Sequence, residues 1–145
     1  MYFNNKAKFE DSRREKLAVS LKTTKDSLGV VQQNFNEANY FSLENNTNAR
    51  EYFLNKDINA LLIKIRDDIY KQNINPNGNP LARYSPMDGR PFTINKIKIL
   101  NNRWIIADFS NGVIWGEAFI KYFVNENGSI DYEVAETLLH ANTVR

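Results

Sequence analysis

The chain predicts an α+β fold, with N-terminal helices packed on a four-stranded antiparallel β-meander. Three features of its apolar pattern carry that prediction. Between Leu17 and Ala38 apolar residues recur at alternating steps of four and three, a helical period. A second helical stripe follows at Ile58, Leu61, Leu62, Ile65 and Ile69. From Phe92 to Leu139 the period changes to two, broken at Asn101-Asn102, Asn111-Gly112 and Asn125-Glu126-Asn127-Gly128. Asn-Gly between alternating apolar runs is a strong hairpin signal. A chain of 145 residues is large enough to bury about 68–70% of its unfolded surface, and needs no disulfide or metal for stability.

Residues 1–16 are polar, with Tyr2, Phe3 and Phe9 as the only large apolar side chains. Lys6, Lys8, Arg13, Arg14 and Lys16 outnumber Glu10, Asp11 and Glu15. This stretch reads as a solvated helix start or frayed tail, or as a stalk below an upstream anchor. Residues 17–145 read as a single α+β domain. The repeat Leu17, Leu21, Thr24, Leu28, Val31, Phe35, Ala38 makes a heptad-like stripe on one helix. Thr24 and Gly29 weaken it as a seam between chains. It is therefore expected to pack on the chain's own sheet, with a coiled coil to another chain as the alternative.

Asn45-Asn46-Thr47-Asn48 breaks that helix and can cap a short one over 49–53. Asp57 stands where an N-cap belongs, ahead of the second stripe. Lys64, Asp67, Asp68 and Lys71 lie toward its wet side, and Asn75–Pro80 cannot continue a helix. The segment from Asn73 to Pro91 holds all four prolines and two glycines. A loop of this length is either functional or held down. Arg83, Tyr84, Met87, Asp88 and Arg90 make it a candidate lid; the alternative is a connection pinned by its prolines.

Two-residue turns at Asn101-Asn102 and Asn111-Gly112 set the predicted register. They place Ile97 opposite Ile106, Asn95 and Trp115 each opposite Asp108, and Glu117 opposite Ile106. A four-residue turn over 125–128 places Phe119 opposite Val134 and Glu117 opposite Glu136. Paired residues share a face. One face then carries Ile97, Ile99, Trp104, Ile106, Trp115, Phe119, Phe123, Ile130, Val134 and Leu138, and is the predicted core. Ile105, Ala107, Phe109, Ile114, Gly116, Ala118 and Ile120 form a smaller apolar centre on the other face, bordered by Lys96, Lys98, Arg103, Asp131 and Glu133.

That register gathers Asn95, Asp108, Glu117 and Glu136 beside Trp115. Unpaired carboxylates are rarely buried, because losing hydration costs several kcal/mol. Either that end opens to water or a cation answers them, with Arg83 or Arg90 as the candidates. Such a cluster can supply a general acid or base, or bind a cationic ligand. The plainer reading is a rim of ordinary salt bridges. The seven residues Asn95, Asp108, Trp115, Glu117, Glu136, Arg83 and Arg90 are the candidate site.

Other chemistry is thin. The chain has no cysteine and one histidine, His140, so thiolate chemistry is excluded and a histidine-based zinc site is not expected. No Gly-x-Ser-x-Gly elbow and no Gly-rich phosphate loop occurs. No cofactor is expected. With 19 basic and 17 acidic residues, the charge is too balanced for a nucleic-acid surface. No apolar run reaches the roughly 18 residues of a membrane span.

The run Ile94–Phe109, with Trp115-Gly116-Glu117, Tyr122-Phe123 and Ala38–Asn46, resembles a small, largely uncharacterised family of Bacteroidota envelope proteins. Its members often carry an N-terminal lipid or membrane anchor. The resemblance spans residues 38–139. It implies an extracytoplasmic location with tethering through an N-terminal anchor, and it brings no catalytic residues with it. The order of helices then meander is also similar to cystatin-like cone folds of the nuclear transport factor 2 type. The expected function is a non-catalytic binding or assembly module of the bacterial cell envelope, with a protein partner or a second copy. The alternative is a small hydrolase using Asp108, Glu117 or Glu136 in a cone-shaped pocket.

Overall fold

The computed structural model describes residues 2–54 and 56–140, with side chains from residue 10 onward. The chain divides into two units, Met1–Tyr40 and Phe41–Arg145. The first is built on one helix, α1 (Tyr2–Ala38), of 37 residues. The polar stretch before Leu17 is thus helical and continuous with the apolar repeat. The side chains of Tyr2, Phe3 and Phe9 lie outside the described residues. Asn39 closes the helix: its backbone N–H and its side-chain amide both donate to the Phe35 carbonyl at 3.0 Å. Within its own unit the apolar repeat is left uncovered among the described residues. Leu17, Leu21, Leu28, Val31 and Phe35 are 58–63% exposed. The core of the second unit contains no residue before Leu43 among those described.

The second unit begins with α2 (Thr47–Tyr52), capped by Asn46, whose side-chain oxygen accepts from the Ala49 N–H at 3.1 Å. Next comes α3 (Ile58–Tyr70). Asp57 caps it as the spacing predicts, accepting from the N–H groups of Asn59 and Ala60. Leu61, Leu62, Ile65 and Ile69 are buried on its dry face. The sheet follows as a four-stranded antiparallel meander in the order β1 (Thr93–Ile99), β2 (Trp104–Ser110), β3 (Trp115–Val124), β4 (Ile130–His140). The α+β class and the meander are as the sequence predicts.

The long segment before β1 is not a lid. It is pinned, and asparagines do the pinning. Asn79 is 2% exposed. Its amide donates to the Ile69 carbonyl and to Asn73 Oδ1, both at 2.9 Å, and its own oxygen accepts from the Leu81 N–H. Asn73 in turn exchanges two 2.8 Å bonds with the backbone of Ile94. Gly78 has φ +91°, and a Cβ there would lie 2.7 Å from the Phe92 carbonyl oxygen. The Tyr84 ring packs on Phe92 and Phe109 at 5.9 and 5.7 Å. The segment is therefore part of the core, with Leu81 and Ala82 buried in it.

The register differs from the two-residue turns, and the cause is visible. Asn101 Oδ1 accepts from the N–H groups of Arg103 and Trp104, both at 2.8 Å. This widens the first turn, so that the Leu100 N–H donates to the Trp104 carbonyl and Ile99 pairs with Ile105. A shift of one residue turns every side chain of one strand relative to the next. Asn111 Oδ1 likewise accepts from Val113 and Ile114, and Ser110 pairs with Trp115. That shift is two residues, so faces are kept. At the third turn Val124 pairs with Ile130, and an irregularity near Ala135 changes the register again.

The result inverts the predicted core face for β2 and β3. Ile105, Ala107, Phe109, Ala118, Ile120 and Tyr122 are buried, together with Ile99 and Val134. Trp104, Ile106, Trp115, Phe119, Phe123 and Leu138 lie on the outer face instead, exposed or half-buried. The expectation that Trp115 and Phe119 sit beneath helices is therefore wrong. Ile97, Ile99, Ile130 and Val134 do join the core as expected. Gly116 leaves room within the sheet for the ring of its register partner on β2. A Cβ on Gly116 would lie 2.6 Å from Phe109 Cζ and would also meet the Leu138 carbonyl oxygen.

Candidate functional site

The outer face of the sheet has a polar end and an apolar centre. At the polar end one register row runs Lys96, Asp108, Glu117, Leu138 across the four strands. The next row brings Ser110, Trp115 and His140 together. Asp108 and Glu117 thus stand side by side. Like charges directly opposite are unfavourable, and each flanking strand carries a basic side chain at this end of the sheet. Lys96 is the register partner of Asp108 on β1. On β4, His140 Nε2 lies 3.1 Å from Glu117 Oε2. Its imidazole stacks on the Trp115 indole at 4.1 Å between ring centres. The stack and the hydrogen bond together fix the ring.

An irregularity in β1 between Ile94 and Lys96 throws Asn95 out of the ladder. Its amide donates to Ser110 Oγ at 3.2 Å. Asn95, Lys96, Asp108, Ser110 and Trp115, with the turn Gly112–Ile114, line a cleft of ≈ 240 Å³. Of the predicted site residues, three therefore meet in this cleft: Asn95, Asp108 and Trp115. Glu117 adjoins Asp108 in the ladder but does not line the cleft. Glu136 pairs with Phe119 rather than Glu117, is exposed, and belongs to the apolar centre's border.

The two arginines separate. Arg90 follows the Asp88-Gly89 turn, whose two residues have φ of 54° and 72°. This turn lies against the turn after β2, with the Asn111 amide reaching the Met87 carbonyl at 3.5 Å. It sets the Arg90 guanidinium 3.8 Å from where a Gly112 Cβ would stand, at the rim of the cleft. Arg83 is exposed and lines a different depression, among Asn75–Asn79 and Tyr84–Pro86. The sequence reading missed Lys96 and His140. His140 was legible from strand parity, in step with Leu138 and Glu136, whereas Lys96 reaches Asp108 only through the wider Asn101 turn.

The apolar centre is built from Trp104, Ile106, Phe119 and Phe123. Trp104 and Phe119 pack ring to ring at 5.7 Å. Trp104 and Phe123 are nonetheless 46% and 50% exposed, and Leu138 is 55% exposed. Lys98 stands beside Ile106 in register, Lys121 beside Trp104, and Glu133 beside Lys121. The face is thus an aromatic strip interleaved with charges of both signs.

Comparison of the chain with protein-family models, with curated proteins and with solved structures found no match. No group of acidic, histidine or cysteine side chains suited to a metal ion occurs among the described residues. No described helix is long and apolar enough to cross a membrane.

Proposed function

We propose that this protein is a non-catalytic binding module whose contact surface is the outer face of the sheet. One observation carries the reading. The inner face is fully used by α3 and the segment before β1, yet the outer face exposes Trp104, Ile106, Phe123 and Leu138 in one strip. Exposed apolar strips rimmed by charge are characteristic of protein contact sites, and tryptophan and phenylalanine are the anchors such sites use. The resemblance of residues 38–139 to anchored envelope proteins supports a place at the bacterial cell envelope.

The hydrolase alternative would use Asp108, Glu117 or Glu136 in a pocket. The chemistry around it favours binding. The cleft is smaller than the roughly 300–1,000 Å³ of a typical ligand pocket. Of Asp108, Glu117 and Glu136, only Asp108 lines it. The test is capture from the native membrane fraction with wild-type chain and with a Trp104→Glu, Phe123→Glu variant as bait. A protein retained by wild type and lost by the variant is the expected result. The same set retained by both would overturn the reading.

A further inference from the structure

We propose that α1 pairs, parallel and in register, with the α1 of a second copy of this chain. The helix has 37 residues, and every described side chain from Glu10 to Ala38 is exposed. Helices in proteins owe most of their stability to packing of one face. This one carries Gly29 and several β-branched residues, so its own propensity is modest. It needs a cover, and its pattern says which.

Leu21, Leu28 and Phe35 fall at one heptad position and Leu17, Thr24 and Val31 at the other. The mean step of 3.5 residues keeps such a stripe facing a second helix that winds about it. Thr24 does not spoil the seam. Its hydroxyl already donates to the Ser20 carbonyl at 2.9 Å, which leaves its methyl to face the partner. The area suffices. Five large apolar side chains, each 58–63% exposed, offer about 500 Å² per helix, and two helices reach the roughly 1,000 Å² of a specific interface.

Charge chooses the direction. Lys25 is the one charged residue flanking the seam between Leu17 and Ala38. In a parallel pair it faces Ser20 of the second copy. In an antiparallel pair with Leu17 against Phe35, it faces Lys25 of the second copy, a like-charge contact. The proposal does not rest on the sheet-face reading.

Sedimentation equilibrium of the full chain at micromolar concentration tests it. The expected mass is twice 16.8 kDa. Leu28→Asp should give a single-chain mass, with the emission of Trp104 and Trp115 unchanged because both lie in the second unit. Val19→Asp, on the opposite side of the helix, should keep the wild-type mass. The chain has no cysteine, so Leu21→Cys should oxidise to a disulfide-linked dimer only if the pair is parallel and in register. A wild-type chain that sediments singly would overturn the proposal. So would a Leu28→Asp variant of wild-type mass, a Val19→Asp variant that dissociates, or a Leu21→Cys dimer that fails to cross-link.

Discussion

Asn101 and Asn111 determine which partner each strand meets. Each folds its side-chain oxygen back onto two backbone N–H groups. Such an Asx arrangement is a recognised alternative to a tight turn. The sequence marks where these turns are but is ambiguous about their length, since Asn-Gly serves both forms. One residue of difference at Asn101 was enough to exchange the faces of β2. The better signal was charge. Asp108, Glu117 and Lys121 share one face, whereas Ile105, Ala107, Phe109, Gly116, Ala118 and Ile120 carry none. Large aromatics point the other way, although aromatics also mark contact surfaces. The face assignment predicts a contrast. Phe109→Ala, at a fully buried site, should cost about 3–5 kcal/mol. Phe119→Ala, half-buried beside Trp104, should cost about 1 kcal/mol. Urea denaturation of both variants checks this. Gly116→Ala should cost roughly 1–3 kcal/mol, because the added methyl meets the Phe109 ring and the β4 backbone.

Among elements, α3 was the most legible. It has a cap, a clean period and a proline-rich stop, and all three hold. The segment after it was the least legible, because its order comes from buried amide bonds that no periodicity reports. Asn79→Ala should therefore cost about 1–3 kcal/mol by stranding the partners of a buried amide. A surface loop would show a change near zero in the same urea titration. The hold of α3 on β4 is also polar. Tyr132 donates to Asp68 Oδ2 at 2.9 Å, and Asp68 also lies 3.3 Å from Lys64 and 3.5 Å from Lys71. Burial pushes the Tyr132 hydroxyl well up, and the bond to Asp68 and its charge push it further. Burial also raises Tyr122, with Tyr52 adding to it. Unfolded tyrosine titrates near 10. Above that pH the unfolded chain binds fewer protons than the folded one. Stability is thus complete below about pH 10 and falls as the pH rises beyond it. Tyr132→Phe should make that fall shallower, as measured by denaturation midpoints across the alkaline range.

For the whole molecule, the division at Tyr40 has a thermodynamic consequence. The core cluster runs from Leu43 to Val134 and takes no side chain from α1 among the described residues. Leu43 itself is tied to the sheet, its N–H donating to the Ile99 carbonyl at 3.0 Å. The heptad stripe was legible as a helix but not as an exposed one. A 3.5-residue step fits both a seam between chains and a helix lying on a sheet, so the period alone does not choose between them. A chain starting at Phe41 should therefore unfold cooperatively, with the urea midpoint of the second unit in the full-length protein. Its tryptophan fluorescence should match too, since both tryptophans lie beyond the cut. Losing α1 should remove self-association and leave the outer face of the sheet competent to bind. A truncated chain with a lowered midpoint would mean that α1 contributes to the fold of the second unit. Such a result would reassign the exposed stripe from a second copy to the chain itself.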